Sequence, residues 1–172
     1  EGLVFRLSNC FGAPVTADVD RWTLLVNDLS RQAVTTGKLT LNSAGMQLRD
    51  FITLEDVARA VIHGVELPPE GLGDGLFNLG GDLSLSIYAM TERVAARWKV
   101  LTGQELPIIR PDPSPGSGPV PLSYSCEKLK ATGFSLNSNI DQEIDATLRL
   151  CMASFGKCRQ SPSRPALQRF RS

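Results

Sequence analysis

Arg49 is the residue whose type and surroundings point most directly to chemistry in this chain. Arg49 and Asp50 open a short apolar run, and Glu55 and Asp56 follow at the start of an amphipathic segment. A guanidinium stays charged at any working pH, and its planar fork of donors matches phosphate oxygens two at a time. Arg49 is therefore a candidate ligand for an anion. The alternative is a structural ion pair with Asp50, Glu55 or Asp56.

The two aspartates near Arg49 could be mistaken for an acid/base pair, because two carboxylates often divide that work. Asp50 and Asp56 lie six residues apart, across a predicted junction between a strand and a helix. Helix capping and local ion pairing explain both residues. We therefore predict structural roles for them.

Asn9 is a second candidate, because it closes a short apolar strand predicted over residues 3–7. Open α/β sheets bind ligands at the carboxyl ends of their strands. The asparagine amide can both donate and accept a hydrogen bond, which suits a phosphate or a sugar hydroxyl. A plain turn asparagine is the alternative. The adjacent Cys10 has no histidine near it in the sequence that could activate it as a nucleophile.

Both helices and strands are needed to position these side chains. Hydrophobic periodicity predicts helices at about 21–35, 55–66, 86–102, 125–132 and 139–155. It predicts strands at about 3–7, 39–41, 51–54, 76–79 and 106–109, and loops at 9–20, 68–75 and 111–121. This alternation indicates an α/β protein. Only about two of the strands suit a central parallel sheet, so the doubly wound sheet is incomplete.

Several helix ends and faces can be predicted as well. Asp20, Thr53 and either Asn139 or Asp141 are candidate N-terminal caps. Gly37 and Gly103 are expected to end two helices. The helix at 55–66 is predicted to bury an apolar stripe that consists of Val57, Ala58, Val61, Ile62 and Val65.

The composition and charge distribution of the sequence bear on its domain organisation, its compartment and its partners. The 172 residues include 18 basic and 18 acidic side chains, but residues 157–172 hold five basic residues and no acidic one. We expect a domain over residues 1–156 and a basic, disordered tail over 157–172. The four cysteines form no C-x-x-C pair, which predicts reduced thiols, a cytoplasmic protein and no metal site. No apolar run is long enough to cross a membrane, and no aromatic platform accompanies the basic tail, so neither membrane nor nucleic acid is an expected partner.

Three segments together resemble a known family: 6–12, 46–60 and 77–81. They are similar to the extended short-chain dehydrogenase/reductase family, in its NAD-dependent nucleotide-sugar epimerase/dehydratase branch, over roughly residues 2–155. The resemblance implies the C-terminal part of a Rossmann-type doubly wound fold with the small substrate-binding lobe. It implies NAD or NADP as cofactor and a nucleotide-sugar as substrate.

The resemblance also implies roles for individual residues. Arg49 would grip the diphosphate of the nucleotide-sugar, and Asn9 and Cys10 would lie beside the cofactor. Arg21 and Asn27 would approach the nucleotide, although solvated helix residues are the alternative for both. Arg110 would replace the arginine of an Arg-x-Gly-Asp-like element, although its spacing in Arg110-Pro111-Asp112 differs.

The resemblance covers only the later part of the family's pattern. The Gly-rich dinucleotide loop and the Tyr-x-x-x-Lys pair that the family carries earlier are missing, so the chain holds no expected catalytic residue. Tyr124 and Lys128 formally spell this pair, but they fall in the family's closing helix. We expect the substrate-binding portion of an enzyme, with the N-terminal half of the same protein as partner and a homodimer of the intact enzyme. The rival hypothesis is a non-catalytic binding or interaction module.

Overall fold

The structure is a computed structural model that describes residues 2–114, 118 and 122–156. The predicted basic tail over 157–172 lies outside the described residues, as does part of the predicted loop over 111–121. The strands in chain order are β1 (Val4–Leu7), β2 (Asn9–Phe11), β3 (Leu39–Thr40), β4 (Leu48–Thr53), β5 (Leu76–Leu79), β6 (Ser84–Ser86) and β7 (Ile108–Ile109). The helices are α1 (Leu25–Thr36), α2 (Leu54–Glu66), α3 (Pro69–Leu72), α4 (Ile87–Thr102), α5 (Glu127–Lys130) and α6 (Ile140–Phe155).

Strands β1 and β5 form a parallel pair, with Val4 opposite Leu76 and Leu7 opposite Leu79. The amides of Val4 and Ser8 donate to β5 and to the residue before it. Because alternate residues of a strand face opposite neighbours, Phe5 and Leu7 direct their backbone groups to the other side. Among the described residues, no strand pairs with that side of β1. The predicted α/β class is confirmed, and so is the prediction of two strands for a central parallel sheet.

Two smaller sheets build the rest of the chain's β structure. Strand β4 lies between β2, which is parallel to it, and β6, which is antiparallel. Strand β3 pairs in parallel with β7, so the segments that follow these two strands leave from the same edge. Neither β2 nor β6 was predicted, and the loop predicted over 9–20 was wrong in its first three residues. Both strands are only three residues long and depend on pairing with β4.

Of the four described helices longer than four residues, α2, α4 and α6 begin with a side-chain cap and α1 does not. The Thr53 hydroxyl accepts from the Asp56 amide at the start of α2, and Asn139 accepts from the amides of Asp141 and Gln142 at the start of α6. The sequence left Asn139 and Asp141 as alternative caps of α6, and the structure shows that Asn139 is the cap. The cap predicted at Asp20 is wrong, because residues before α1 form turns and the helix begins at Leu25. The loop predicted over 68–75 also contains the short helix α3.

Two hydrophobic cores hold the chain together. Helices α1, α4 and α6 enclose the larger core, in which Val26, Leu29, Met90, Val94 and Leu148 are buried. The smaller core lies between α2, the β1–β5 pair and α5, and it includes Ile52, Ala60, Phe77, Leu79 and Leu129.

Although Val57 is partly buried against the smaller core, the rest of the buried stripe predicted for α2 was wrong. Its buried positions are Asp56, Ala60 and Gly64, whereas Val61 is 45% exposed, Ile62 58% and Val65 78%. Leu3 and Phe5 lie so close to Gly64 that a methyl group there would meet the Leu3 side chain at 2.4 Å. Small residues therefore face β1, because they let the helix approach the sheet closely.

Candidate functional site

Arg49 lies on the wall of a cavity of about 620 Å³, which we call the Arg49 cavity. One wall is the segment 42–49, which joins β3 to β4, and the other includes Pro111 and Asp112, which follow β7. Because β3 and β7 are parallel and end together, the two segments leave the sheet side by side and enclose a cleft between them. The described lining residues with polar side chains include Asn42, Ser43, Gln47, Arg49 and Asp112.

The guanidinium of Arg49 is largely free of protein partners. Its side chain is exposed, and Nη1 donates to the Leu48 carbonyl at 2.9 Å. No ion pair joins it to a carboxylate in the described part of the chain. A guanidinium has five N–H donors, so most of them remain for a ligand. The alternative of a structural ion pair finds no support in this geometry.

Asp50 has a structural role, because its side chain is buried in the protein and does not line the Arg49 cavity. It is 5% exposed and accepts from the amides of Gly81 at 2.8 Å and Leu83 at 3.2 Å. It therefore fastens β4 to the turn that follows β5. The next strand residue, Phe51, donates its amide to the Leu83 carbonyl and adds to the same attachment.

Asp56 is also structural. It is 4% exposed and accepts from the amides of Asn137 and Ser138 and from the guanidinium of Arg59. Asp50 and Asp56 thus face different partners, and the structural interpretation of both residues agrees with the contacts.

Asn9 lies on a second cavity of about 320 Å³, the Asn9 cavity, which Ser8, Cys10 and Arg21 also line. The Asn9 amide donates to the Asp50 carbonyl at 3.2 Å, which leaves its oxygen and its second N–H for other partners. Arg21 is exposed and donates to the Asp20 carbonyl at 2.6 Å. The structure thus places Arg49 on one cavity and Asn9, Cys10 and Arg21 on another, although Asn9 and Arg49 belong to neighbouring strands.

Ser8 is a residue of this cavity that the sequence analysis did not single out. Its hydroxyl oxygen is buried and has no hydrogen-bond partner among the described residues. A buried polar group without a partner is uncommon in proteins. Its place directly after β1 is the signal that could have identified it, because ligands bind at the carboxyl ends of parallel strands.

Asn27 fixes the loop after β2 through Gly12, and both residues line a smaller cavity of about 130 Å³ that shares Cys10 and Arg21 with the Asn9 cavity. Its oxygen accepts from the Gly12 amide at 3.2 Å, and its nitrogen donates to the Gly12 carbonyl at 3.0 Å. Both ends of this buried amide are thus occupied within the protein. Its predicted contact with a substrate stays a prediction, and the structure adds a role in fixing the loop after β2.

Glu143 of α6 holds the same loop from the other side. Its carboxylate accepts from the Ala13 amide at 2.9 Å, and a methyl group on Gly12 would meet it at 2.4 Å. Gly12 also has φ of +152°, which favours glycine. Burial raises the pKa of Glu143, and the Glu55 and Asp56 charges raise it further, against the hydrogen bond from Ala13.

Cys10 is a neutral thiol in this environment. Burial and the nearby charge of Glu143 both raise its pKa. A thiolate is the reactive form of cysteine, so a raised pKa disfavours a nucleophilic role. In the described part of the chain, no group of three or more potential ligands could hold a metal ion.

Unlike Arg49, Arg110 has its guanidinium engaged by a side chain of the protein. Its guanidinium lies 3.5 Å from the centre of the Tyr88 ring, and Nη1 donates to the Ala44 carbonyl at 2.5 Å. The sequence analysis did not predict the contribution of Tyr88, because it comes from the start of α4.

Tyr124 and Lys128 do not form a catalytic pair. The Tyr124 hydroxyl donates to the Arg6 carbonyl at 2.6 Å, and burial raises its pKa. The Lys128 ammonium donates to Asp74 and to the Leu76 carbonyl. A catalytic tyrosine needs a lowered pKa, whereas the pKa of Tyr124 is raised, and Lys128 is engaged by other groups. No helix in the part of the chain that the structure describes is both long enough and apolar enough to span a bilayer.

Comparison with known proteins supports the family resemblance. Residues 1–80 match the model of the NAD dependent epimerase/dehydratase family. A dTDP-L-rhamnose 4-epimerase of Burkholderia thailandensis is 32% identical over 95 residues, which are 55% of this chain and 25% of the relative. The chain therefore spans about a quarter of the length of this curated relative. The resemblance to the epimerase/dehydratase branch of the extended short-chain dehydrogenases/reductases is confirmed.

Solved structures with the same fold are about twice as long as this chain. UDP-glucuronic acid 4-epimerase of Bacillus cereus, in complex with UDP-glucuronic acid and NAD, superposes with a TM-score of 0.67 at 18% identity, over 88% of this chain and 45% of that one. RMD of Pseudomonas aeruginosa, complexed with NADPH, gives a TM-score of 0.63 at 20% identity, over 88% and 48%. The predicted Rossmann-type fold is confirmed, in a chain that covers about half of these neighbours.

Proposed function

We propose that this chain, whose first 80 residues match the NAD dependent epimerase/dehydratase family, is the substrate-binding portion of an NAD(P)-dependent nucleotide-sugar epimerase or dehydratase. The observation that supports this most is Arg49. Its guanidinium is exposed on the wall of a 620 Å³ cavity, and no carboxylate of the described residues neutralises it. An unpaired fork of donors in a cleft of this size suits a diphosphate.

The remaining walls suit the rest of a nucleotide. The Asp112 carboxylate can accept from ribose hydroxyls, and Asn42 and Ser43 can donate or accept. Met46 and Leu122 offer apolar surface to a base. The volume lies within the ordinary range of small-molecule sites, about 300–1,000 Å³. Arg49 would thus orient the sugar by holding its anionic linker.

NAD or NADP fits the carboxyl end of β1, where the buried Ser8 hydroxyl, the Asn9 oxygen and one Asn9 N–H have no partner within the described part of the chain. When bound, the cofactor supplies hydride transfer at a sugar carbon. Asn9 and Cys10 would border it, and Asn27 and Glu143 would keep the adjoining Gly12–Ala13 loop in place. The Gly-rich dinucleotide loop of the family is missing from this sequence, so these residues would hold only part of the cofactor.

Two surfaces support a partner that completes the sheet. Among the described residues no strand pairs with one edge of β1, and the flank of α2 that carries Val61 and Val65 is apolar and exposed. On the opposite flank of α2, Arg59 and His63 contact Phe134 beside α5. The apolar flank therefore lies toward the free edge of β1.

The partner we propose for this composite surface is the N-terminal half of the same protein, with a homodimer of the intact enzyme as the final assembly. The composite surface would then bind a parallel strand together with an apolar helix. The Tyr124 hydroxyl donates to the Arg6 carbonyl and the Lys128 ammonium to Asp74, so the two do not form a catalytic pair. We therefore expect that the chain alone turns over no nucleotide-sugar.

Calorimetric titration of UDP and dTDP into the chain tests the proposal. Arg49→Ala should weaken binding about 10- to 100-fold, which corresponds to the loss of charge-assisted hydrogen bonds of about 1.5–3 kcal/mol. Arg31→Ala is the matched control, because it removes the same charge from an ion pair with Asp28 that lines neither cavity. Equal affinity of the parent chain and Arg49→Ala would remove Arg49 from this role.

A further inference from the structure

Arg110 is built into the wall of the Arg49 cavity and does not project into it. Its guanidinium stacks on Tyr88 at 3.5 Å, and Nη1 donates to the Ala44 carbonyl at 2.5 Å. The same nitrogen lies 3.9 Å from the Met46 sulfur. Ala44 and Met46 line the cavity, but Arg110 and Tyr88 are not among its lining residues.

Tyr88 is attached to the same wall through its backbone. Its amide donates to the Gly45 carbonyl at 2.9 Å, and the Ile87 amide donates to the Gln47 carbonyl at 3.1 Å. Gly45 has φ of +73°, and a methyl group there would lie 3.0 Å from the Tyr88 nitrogen. The segment 44–47, which has no regular secondary structure before β4, is thus enclosed between Arg110 and the first turn of α4.

We propose that Arg110 and Tyr88 form a clasp that fixes the wall 44–47, so that Arg110 is a positioning residue and Arg49 alone binds the anion. This inference rests on the function proposed for the Arg49 cavity. Pro111 begins the opposite wall directly after Arg110, so the clasp also sets the distance between the two walls. The two arginines that the sequence suggested as phosphate ligands thus take different roles.

The clasp requires the shape of arginine as well as its charge. A planar guanidinium can stack on a ring and donate in its own plane at the same time, whereas an ammonium is a compact point charge. Arg110→Lys therefore keeps the charge and breaks the clasp. Tyr88→Leu breaks it from the other side and changes no charge.

Titrations of uridine and UDP into the full chain separate positioning from direct binding. Arg49→Ala should weaken UDP about 10- to 100-fold and leave uridine unchanged. Arg110→Lys and Tyr88→Leu should each weaken uridine and UDP by the same factor, about tenfold, because the wall that both ligands share is displaced. A loss confined to UDP in Arg110→Lys would make Arg110 a direct ligand and overturn the inference.

Amide hydrogen exchange without ligand provides a readout that does not depend on the proposed function. The Ile87 and Tyr88 amides donate to the wall, so both should exchange about tenfold faster in Arg110→Lys. Unchanged exchange would refute the clasp. If the parent chain binds neither uridine nor UDP, the proposed function fails, whereas exchange still decides the clasp. Arg93→Ala, which breaks an ion pair with Asp141 away from the cavity, controls for general loss of stability.

Discussion

Replacing Asp56 by asparagine should lower the free energy of unfolding by about 2–4 kcal/mol at pH 7. The Asp56 carboxylate accepts from the amides of Asn137 at 3.0 Å and Ser138 at 3.1 Å, and from Arg59 at 2.7 Å. The Thr53 hydroxyl lies 3.3 Å from the same carboxylate. This one side chain therefore joins the start of α2 to the segment that leads into α6.

The magnitude follows from the partners that asparagine cannot serve. Its NH₂ group would face the amide of Asn137 or Ser138, so one buried donor would lose its acceptor at a cost of about 1–3 kcal/mol. The remaining hydrogen bonds would lose the charge that makes them about twice as strong, which adds about 1 kcal/mol. Burial alone raises the pKa of Asp56, but the hydrogen bonds from Asn137, Ser138 and Arg59 outweigh it and hold the pKa below its ordinary value.

The lowered pKa fixes the direction of the pH dependence. The stabilisation by Asp56 is fully present above the pKa of an unfolded aspartate, about 3.9, and is lost as pH falls through that value toward the lower pKa of the folded state. The difference between the parent chain and Asp56→Asn should therefore be constant above about pH 5 and shrink below about pH 4.

Urea unfolding at several pH values measures this difference. Asp141→Asn is the matched control, because Asp141 pairs with Arg93 at the surface and its loss should cost less than about 1 kcal/mol. Equal costs for the two variants at pH 7, or a cost for Asp56→Asn that does not change between pH 6 and pH 3.5, would refute this reasoning.

Two further predictions concern α6. Burial raises the pKa of Glu143, so its ionisation destabilises the fold as pH rises above about 4.3, the ordinary glutamate value. Glu143→Gln keeps an oxygen for the Ala13 amide, and thermal unfolding should show it gaining stability relative to the parent chain between pH 4 and pH 7; a relative loss over that range would contradict the prediction. Urea unfolding should show that Leu148→Ala lowers the free energy of unfolding by about 2–5 kcal/mol, because Leu148 is fully buried in the larger core. Val100 of α4 is 66% exposed, so Val100→Ala should change the free energy of unfolding by no more than about 0.5 kcal/mol. Similar costs for these two variants would show that the packing around α6 is not as described.

Local chemistry was sufficient to predict most helix ends. Thr53 caps α2, Asn139 caps α6, and Gly37 and Gly103 end α1 and α4 in the left-handed conformation, as the sequence indicated. The start of α1 could not be predicted in this way, because its cap residue, Leu24, makes no side-chain hydrogen bond.

The buried face of α2 and the walls of the two cavities depend on long-range packing, which the sequence pattern does not indicate. Hydrophobic periodicity located α2, but it assigned the buried face to the large apolar residues, whereas Ala60 and Gly64 face the sheet. The exposed position of Arg49 is consistent with its predicted role, but the two cavities depend on walls that pair across the chain. The partners of Arg110 and Asn27 follow from that pairing, so spacing along the sequence could not indicate that both side chains are already engaged by the protein.

The free edge of β1 has a consequence for the behaviour of this chain in solution. Phe5 and Leu7 present backbone donors and acceptors to water, and the exposed side chains of Val4 and Leu7 flank them. Natural sheets blunt such edges with prolines, bulges or several charges, and this strand carries only Arg6. A second copy of the chain can pair there as readily as a strand of the partner proposed above, so we expect the chain to aggregate when it is purified alone.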